Sequence, residues 1–240
     1  MSRKLVVVPT YNEKENISGL ISDILNLDLD ILVVDDNSPD NTSKIVKDHE
    51  YYNSKVFLLS RDKKLGLGSA YRDGFSWGID MKYQYLIEMA ADFSHSTEDL
   101  KVMLENIEDN ALIIGSRYVY GGKITGWSKK RHFLSFIANK YSKLLTFSFI
   151  NDMTSGFRIY TSDSLEKINY QNTNSNGYAF QIEMTVLCLI YKLKIKEVPI
   201  TFSERREGKS KMNKAIVIEA FPKVIALCFL RIKKFFSATT

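Results

Sequence analysis

The 240-residue chain contains only two cysteines and three histidines. Cys188 and Cys228 lie in apolar stretches that predict helices, and they lack the close spacing of a zinc site. The sequence therefore excludes a disulfide framework and a cysteine-based metal centre. We expect two reduced core thiols in a cytosolic protein.

Long hydrophobic runs are also missing. No uninterrupted apolar segment approaches the ~20 residues that a membrane-spanning helix needs, and residues 1–8 lack the apolar segment of a signal peptide. Because 45% of the residues are hydrophobic, the chain can still form a core. Its length predicts one large α/β domain, or a domain with an appendage.

The glycine-rich loops of common nucleotide-binding folds are absent. The first predicted strand runs into Pro9-Thr10-Tyr11-Asn12-Glu13, which has none of the glycines of a dinucleotide-binding turn. Gly66 and Gly68 follow a later strand without a third glycine, so we interpret them as a turn that lets a helix and a strand pack closely. A P-loop is absent as well. A Rossmann dehydrogenase is therefore excluded.

Strands alternate with helices in the first half of the chain. Apolar and β-branched runs predict strands at 4–9, 31–34, 56–59, 83–87 and 111–114. Helical spacing of apolar residues predicts helices at 13–26, 66–81, 132–150 and 215–236, and another that starts at Thr97. This alternation predicts an α/β fold with a mostly parallel central sheet flanked by helices.

The central feature is the segment Glu88-Met89-Ala90-Ala91-Asp92-Phe93-Ser94-His95, which follows a predicted strand. Open α/β sheets bind ligands at the carboxyl ends of their strands. A cation chelated by a nucleotide diphosphate is commonly held by one or two carboxylates. Asp92 is therefore either a metal ligand or, in the simpler interpretation, the cap of the following helix.

The net charge of +5 conceals an asymmetry between the two halves. Residues 1–116 carry 12 Lys and Arg against 20 Asp and Glu, a net charge of −8, whereas residues 117–240 carry 21 against 8, a net charge of +13. A basic half indicates an anionic partner, which charge alone leaves as a nucleic acid, a phosphorylated substrate or a membrane surface. The aromatic residues are spread over core-like positions, which argues against nucleic acid.

Several motifs together resemble those of inverting family 2 glycosyltransferases, and more narrowly those of dolichyl-phosphate (polyprenyl-phosphate) mannose synthases. The motifs in the first half are Val7-Val8-Pro9-Thr10-Tyr11-Asn12-Glu13, Asp35-Asp36-Asn37-Ser38-Pro39-Asp40, Leu65-Gly66-Leu67-Gly68 and Gly115-Ser116-Arg117-Tyr118. Those in the second half are Asp152-Met153-Thr154-Ser155-Gly156-Phe157-Arg158, Gly177-Tyr178-Ala179-Phe180-Gln181-Ile182-Glu183, Pro199 to Arg205, and Gly208-Lys209-Ser210-Lys211-Met212. The resemblance runs in the family's order from about residue 4 to 215.

The resemblance implies a nucleotide-sugar transferase fold of the GT-A type that moves mannose from GDP-mannose to a dolichyl or polyprenyl phosphate. It implies a protein of the cytoplasm, peripherally associated with the membrane. Residues 1–214 would form the transferase domain, with an acidic donor and metal half at 1–116 and a basic acceptor half at 117–214. An amphipathic interface helix is expected at about 132–150, and a second at 215–240. Packing helices of the domain are the alternative for both.

The same resemblance assigns the site residues. The implied donor-binding set is Pro9, Tyr11, Glu13, Asp35, Ala90, Ala91, Asp92, Arg117, Arg205 and Lys211. Asp92, Arg117 and Arg205 are the implied catalytic residues, and Arg117, Arg131 and Ser135 would bind the acceptor phosphate. Asp92 and Ser94 would hold magnesium or manganese. Residues 203–211 are either a lid over the donor, with Arg205 and Lys211 on the phosphates, or a solvated loop.

The family pattern at the metal site is Asp-Ala-Asp, whereas this chain has Ala90-Ala91-Asp92. Loss of one carboxylate should weaken the binding of a divalent cation. Ala90 is either an engineered substitution or a natural variant with reduced catalysis, and the intact remaining motifs favour engineering. Glu88 would replace the missing ligand only if its strand continued unbent.

The expected chemistry requires no general base. A phosphate monoester has a second pKa of about 6 and is already nucleophilic at neutral pH, so His49, His95 and His132 need not be catalytic. Asp152 and Glu183 either orient sugar hydroxyls or only pair with a buried arginine such as Arg158.

Two alternative functions remain open: a transferase that uses another donor such as UDP-glucose, and a non-catalytic protein that binds a nucleotide sugar or a lipid phosphate. The sequence does not indicate an oligomeric state.

Overall fold

The computed structural model describes residues 2–107, 110–204 and 214–237. Its strands are β1 (Lys4–Thr10), β2 (Asp30–Asp35), β3 (Val56–Ser60), β4 (Tyr85–Glu88), β5 (Leu112–Ser116), β6 (Lys123–Ile124), β7 (Arg158–Thr161), β8 (Ile195–Pro199) and β9 (Thr201–Phe202). Its helices are α1 (Lys14–Leu25), α2 (Thr42–Lys47), α3 (Leu67–Asp80), α4 (Thr97–Glu105), α5 (Lys129–Leu145), α6 (Ser162–Ile168), α7 (Gly177–Ile190) and α8 (Lys214–Ser237), with a 3₁₀ turn at Tyr170–Asn172.

The central sheet has the strand order β3-β2-β1-β4-β7-β5-β8. Its strands pair in parallel except for β7, which runs antiparallel to both β4 and β5. The predicted α/β architecture with a mostly parallel sheet is therefore confirmed. The small parallel pair of β6 and β9 lies beside it.

Both faces of the sheet are buried, as a parallel sheet requires. Along β1, Leu5 and Val7 belong to the core that includes α3 and α7. The alternate residues Val6 and Val8 belong to a second core, which includes α1 and α4. The β-branched run that predicted the strand thus supplies side chains to both layers.

The chain order places a binding edge between β1 and β4. The chain adds β2 and β3 on one side of β1, and then crosses to the other side to add β4. In open α/β sheets, ligands bind at such a reversal, outside the carboxyl ends of the strands. Pro9 near the end of β1 and the residues after Glu88 therefore meet at this edge.

The two oppositely charged halves of the sequence share one sheet. From the second half, β7 lies between β4 and β5, and β8 extends the sheet beyond β5. The C-terminal helix α8 packs against α7 and α5. The acidic and basic halves are thus parts of one folded body in the described chain.

The helix expected at 132–150 has different limits in the structure. It begins at Lys129, because Ser128 accepts a hydrogen bond from the backbone N–H of Arg131 and caps the first turn. It ends at Leu145, before Phe147, which has a left-handed φ of 50°.

The sequence predicted that both cysteines are core thiols. Cys188 is buried as expected, whereas Cys228 is only half-buried.

Close packing of α3 on the sheet depends on Gly74. A Cβ atom at this position would lie 2.4 Å from Cγ1 of Val7 and 3.3 Å from Cγ2 of Val34. Gly74→Ala should lower the free energy of unfolding by about 1–3 kcal/mol, because overpacking exceeds the helix-propensity gain of roughly 1 kcal/mol. Urea denaturation would measure this loss.

Gly19→Ala is the matched control, since Gly19 is an exposed glycine within α1. An added Cβ there would meet only the edge of the Phe93 ring, at 3.3 Å. We expect unchanged or slightly increased stability for this variant. Equal effects at the two positions would contradict the packing argument.

Candidate active site

A cavity of about 300 Å³ opens at the carboxyl edge of the sheet. Its wall includes Pro9 from β1, Ala90 and Asp92 from the segment after β4, Arg117 from the segment after β5, and Gln181 from α7. Residues from both halves of the chain therefore meet in one cavity. The predicted site residues on its wall are Pro9, Glu13, Ala90, Ala91, Asp92, Ser94, Arg117 and Arg131.

The loop between β4 and α4 is shaped by local hydrogen bonds. The backbone N–H of Ala90 donates to Nδ1 of His95 at 3.2 Å, and the N–H of Ser94 donates to Oδ1 of Asp92 at 3.1 Å. Ser96 accepts from the N–H of Asp99 and caps α4. The helix cap is therefore Ser96, and Asp92 is left on the cavity wall.

His95 lies on the cavity wall and supports this loop. Its ring stacks on Phe157 with centroids 4.5 Å apart and an interplanar angle of 8°. Burial lowers its pKa to about 4, so the ring is neutral at physiological pH. Because Nδ1 accepts the Ala90 N–H, the proton of the neutral ring is on Nε2.

The donor set on the cavity wall fits a divalent cation only in part. Asp92 supplies one carboxylate and Ser94 one hydroxyl, while Ala90 contributes only a methyl group. Across the described residues, no group of three or more His, Cys, Asp or Glu side chains is arranged to hold a metal. Such a site fits a cation whose other ligands are substrate phosphates and water.

Glu88 does not replace the missing carboxylate. It is fully buried and is not among the residues described on the cavity wall. Its Oε2 instead accepts a hydrogen bond from Nε2 of Gln181 at 2.6 Å. The alternative in which Glu88 acts as a metal ligand is therefore not supported by its position.

Arg117 is locked in a buried ion pair. Its Nε and Nη2 donate to Oδ2 and Oδ1 of Asp152, both at 2.7 Å, and its backbone N–H also donates to Oδ2 at 2.9 Å. Burial raises the pKa of Asp152, but the guanidinium charge and its hydrogen bonds outweigh this and hold the pKa below its usual range. The arginine that Asp152 pairs with is thus Arg117, not Arg158.

A narrow apolar cavity of about 60 Å³ adjoins the first one. It lies among α5, α7 and α8, where Leu134, Ala138, Ile182 and Val224 contribute to its wall. The residues common to both cavity walls are Arg117, Trp127, Arg131, Thr154 and Tyr178. The two cavities therefore meet at a pair of arginines.

Two predicted acceptor residues lie along the apolar cavity. The guanidinium carbon of Arg131 is 4.1 Å from the centre of the Trp127 ring, and its side chain is 18% exposed. Ser135 lies one turn further along α5, and its hydroxyl accepts from Tyr118 Oη at 2.9 Å. Arg131 and Ser135 thus lie on the same helix and on the wall of this cavity, and Arg131 is also on the wall of the larger one.

Two predicted donor-site residues do not lie on the described cavity wall. Asp35 is 1% exposed, and its carboxylate accepts hydrogen bonds from Thr10, Ser38 and Ser43. Tyr11 lies beneath Lys64, whose Nζ is 4.0 Å from its ring centre. Their roles as donor ligands stay predictions. Arg205 and Lys211 lie outside the described residues, as does most of the predicted lid.

Several wall residues were not predicted from the sequence. These are chiefly Leu67, Tyr71, Trp127, Thr154, Tyr178, Gln181 and Phe202. Gln181 stands within a motif used for the family resemblance, but its apolar neighbours in α7 indicate only a buried helix. Glu183, one of two residues expected either to orient sugar hydroxyls or to pair with a buried arginine, accepts a hydrogen bond from the backbone N–H of Ser175 at 3.0 Å.

Exposed apolar side chains are concentrated on α5, α8 and the turn after α5. Phe133 is 65% exposed, Leu144 75%, Phe147 66% and Phe229 68%. Lys129, Lys130, Lys140, Lys233 and Lys234 are exposed on the same two helices. Within the described chain, no helix is both long enough and apolar enough to cross a membrane.

Comparison with known proteins gives a consistent family. The family model "Glycosyl transferase family 2" matches residues 5–169. The chain is 42% identical over 226 residues to polyprenol monophosphomannose synthase of Mycolicibacterium smegmatis, which covers 92% of this chain and 85% of that protein. It is 41% identical over 221 residues to undecaprenyl-phosphate mannosyltransferase of Micrococcus luteus, with 91% and 90% covered.

Solved structures share the fold at low sequence identity. Glucosyl-3-phosphoglycerate synthase of Mycobacterium tuberculosis, in complex with Mn²⁺, UDP and phosphoglyceric acid, has a TM-score of 0.73 at 15% identity, covering 95% of this chain and 78% of that one. The complex of the same protein with Mn²⁺, UDP and glucosyl-3-phosphoglycerate has a TM-score of 0.72. This likeness establishes the fold of the present chain.

The buried carboxyl of Glu88 should make stability depend on pH. Burial raises its pKa from 4.5 to about 7, against the opposing effects of Arg158 and the Gln181 hydrogen bond. In the unfolded chain the Glu88 carboxyl has a pKa near 4.5. Between pH 4.5 and about pH 7, the folded state therefore binds a proton at Glu88 that the unfolded state has lost. The contribution of Glu88 to stability is therefore complete below about pH 4.5 and is lost as the pH rises through about 7.

Glu88→Gln should remove this dependence. Between about pH 5 and pH 8, the free energy of unfolding of the wild type should fall by roughly 2–3 kcal/mol more than that of the variant. Denaturation curves at the two pH values would measure the difference. Glu166→Gln, at an exposed position on α6, should instead follow the wild type. Parallel curves for Glu88→Gln and the wild type would show that Glu88 is ionised in the folded protein.

Proposed function

Since this chain belongs to glycosyl transferase family 2, we propose that it transfers mannose from GDP-mannose to a polyprenyl phosphate. The family match and the two curated relatives confirm the predicted family and a glycosyltransferase enzyme. The fold shared with the solved structures agrees with the GT-A type that the sequence predicted. The observation that carries the finer proposal is the junction of a polar cavity with an apolar one at Arg117 and Arg131.

In this proposal the donor occupies the larger cavity. Its position at the reversal of strand order, beside Pro9 and Asp92, is where such sheets hold nucleotides. Asp92 and Ser94 would hold magnesium or manganese. When bound, the cation neutralises charge that develops on the departing diphosphate. Arg205 and Lys211, outside the described residues, are proposed to add positive charge there.

The acceptor phosphate is proposed to bind at the shared mouth, with its lipid chain in the apolar cavity. Arg131 is suited to the phosphate because its guanidinium rests on Trp127, whose face holds it at the mouth. The hydroxyl of Ser135 lies on the same helix. Two nitrogens of Arg117 are committed to Asp152, so Arg117 offers a phosphate only part of its guanidinium.

The proposed reaction is one in-line displacement at the sugar's anomeric carbon. A phosphate monoester is largely dianionic at neutral pH and needs no base to remove a proton. His95 fits this proposal, because it is neutral and its Nδ1 accepts the Ala90 N–H. A phosphate oxygen forms the new bond while the bond to the nucleotide diphosphate breaks, which inverts the anomeric centre.

We propose that α5 and α8 rest on the cytoplasmic face of the membrane. Their exposed aromatic residues would enter the boundary between headgroups and acyl chains, and their lysines would face anionic headgroups. The apolar cavity lies between these helices and α7. A lipid held in the membrane could therefore bring its phosphate to the shared mouth while its chain stays in apolar surroundings.

Ala90 favours a second candidate function, a protein that binds a nucleotide sugar without turning it over. The cavity wall has one carboxylate at the position where the family pattern has two, which weakens cation binding and the charge stabilisation that depends on it. A related transferase that uses UDP-glucose is the third candidate. A single assay separates the three.

Wild-type protein and Ala90→Asp would each be incubated with polyprenyl phosphate, Mg²⁺ or Mn²⁺, and radiolabelled GDP-mannose or UDP-glucose. We expect mannose label to enter the organic phase, at a rate at least tenfold higher for Ala90→Asp because a second carboxylate strengthens the cation site. Ala90→Asn is the control, since it has similar size without the charge. If only UDP-glucose gives label in the organic phase, GDP-mannose is not the donor. If both proteins bind the nucleotide sugar but neither transfers its sugar, the second candidate function is established.

Membrane association is tested with vesicles that contain anionic phospholipid. Leu144→Ser combined with Phe147→Ser should weaken sedimentation with the vesicles by at least tenfold, because burying each side chain contributes about 1.5–3 kcal/mol. Val102→Ser, which alters an exposed apolar residue on α4, should bind like the wild type. Unchanged sedimentation of the double variant would show that α5 does not enter the membrane.

A further inference from the structure

Beneath the donor cavity lies a buried polar pair that the proposed reaction does not use. Gln181 on α7 is 1% exposed and contributes to the cavity wall. Its Nε2 donates to Oε2 of Glu88 at 2.6 Å. Within the described part of the chain, Oε1 of Gln181 and Oε1 of Glu88 both lack a hydrogen-bond partner.

Gln181 is held at its side-chain amide and at its backbone. Glu88, at the end of β4, takes the NH₂ end and so turns the carbonyl end away from itself. The backbone carbonyl of Gln181 accepts from Nη1 of Arg158 at 3.0 Å and from Oγ1 of Thr185 at 2.9 Å. Since Arg158 is itself buried and donates to Ser155 O at 2.7 Å, the residue has little freedom to turn.

Buried amide carbonyls are rarely left without a donor, because desolvation without a hydrogen bond is costly. Because Gln181 contributes to the cavity wall, a ligand in the cavity is a source of such a donor. Gly156 also lies on this wall, and a Cβ there would be 3.7 Å from Nε2 of Gln181. The missing side chain at Gly156 keeps the wall beside the amide open.

A hexose is a ligand of the required chemistry, because its ring carries several hydroxyl donors. Ala90 and Asp92, on the same wall, lie where the proposed function puts the sugar diphosphate. A sugar attached to that diphosphate lies next to it in the cavity, and Gln181 is one of the polar residues on the wall of that cavity. A nucleotide without the sugar has no hydroxyl at this end.

We propose that the side-chain carbonyl of Gln181 recognises one hydroxyl of the donor hexose by accepting a hydrogen bond from it. In this proposal Glu88 is the positioning residue that orients the Gln181 amide. This inference rests on the proposed function for the place of the sugar. The proposal assigns part of the donor specificity to α7. A site that hydrogen-bonds one sugar hydroxyl discriminates against a sugar that lacks this hydroxyl or carries it in the other configuration.

The test compares the binding of GDP and GDP-mannose to the full chain by titration calorimetry, with Mg²⁺ present. Gln181→Leu should weaken GDP-mannose about tenfold and leave GDP unchanged, because only the sugar loses a hydrogen bond. Gln171→Leu, at an exposed position in the 3₁₀ turn, should change neither affinity. An equal loss for GDP and GDP-mannose, or no loss, would overturn the role of Gln181.

Monodeoxy analogues of the donor give a measurement that needs no variant. One analogue should bind the wild type about tenfold more weakly than GDP-mannose, and should bind Gln181→Leu no more weakly than GDP-mannose does. If every analogue binds the wild type as tightly as GDP-mannose, Gln181 reads no hydroxyl, whether or not Gln181→Leu folds.

The same design separates this inference from the proposed function. If the wild type prefers UDP-glucose, the donor in the proposed function is wrong, and the ratio of UDP to UDP-glucose affinities then tests Gln181 in the same way. If the wild type binds GDP-mannose no more tightly than GDP, the sugar makes no net contact and the inference fails, even if mannose transfer is detected.

Discussion

The insertion of β7 between β4 and β5 is the constraint on which the site depends. It is the antiparallel strand of an otherwise parallel sheet, and it places Arg158 opposite Glu88. Arg158 then holds the backbone of α7 through Gln181, and the segment before β7 carries Asp152, which fixes Arg117. One strand from the basic half thus determines what surrounds the carboxyl edge of the acidic half.

Buried charge explains why this arrangement is rigid. The carboxylate of Asp152 and the guanidinium of Arg117 are almost wholly buried, so removing either one would leave the other uncompensated. Asp152 also receives the backbone N–H of Arg117, which ties the segment after β5 to the segment before β7. Asp152 therefore acts on the site through Arg117, and its burial leaves no surface for a ligand.

The sequence predicted the first half of the fold well. Its strands are mostly β-branched runs, and apolar residues at helical spacing mark the helices between them. β7 and β8 were missed, since Arg158 and Lys196-Glu197 interrupt the apolar pattern that marks a strand. At the site, Pro9, Glu13, Asp92, Arg117 and Arg131 were predicted and do meet on one wall. Gln181 could not be found, because only tertiary contacts with Glu88 and Arg158 distinguish it from a polar residue in a buried helix.

The conformation of the loop after β4 does not depend on the charge of the side chain at position 90. Its conformation depends on the backbone N–H of Ala90, which donates to His95, on the Asp92–Ser94 turn and on the cap at Ser96. None of these interactions uses the side chain at position 90, so alanine and aspartate are compatible with the same loop. A carboxylate at this position would therefore change the charge of the cavity wall without changing the hydrogen bonds that shape the loop. For this reason the fold and the family are evident in a chain whose sequence departs from the family pattern at Ala90.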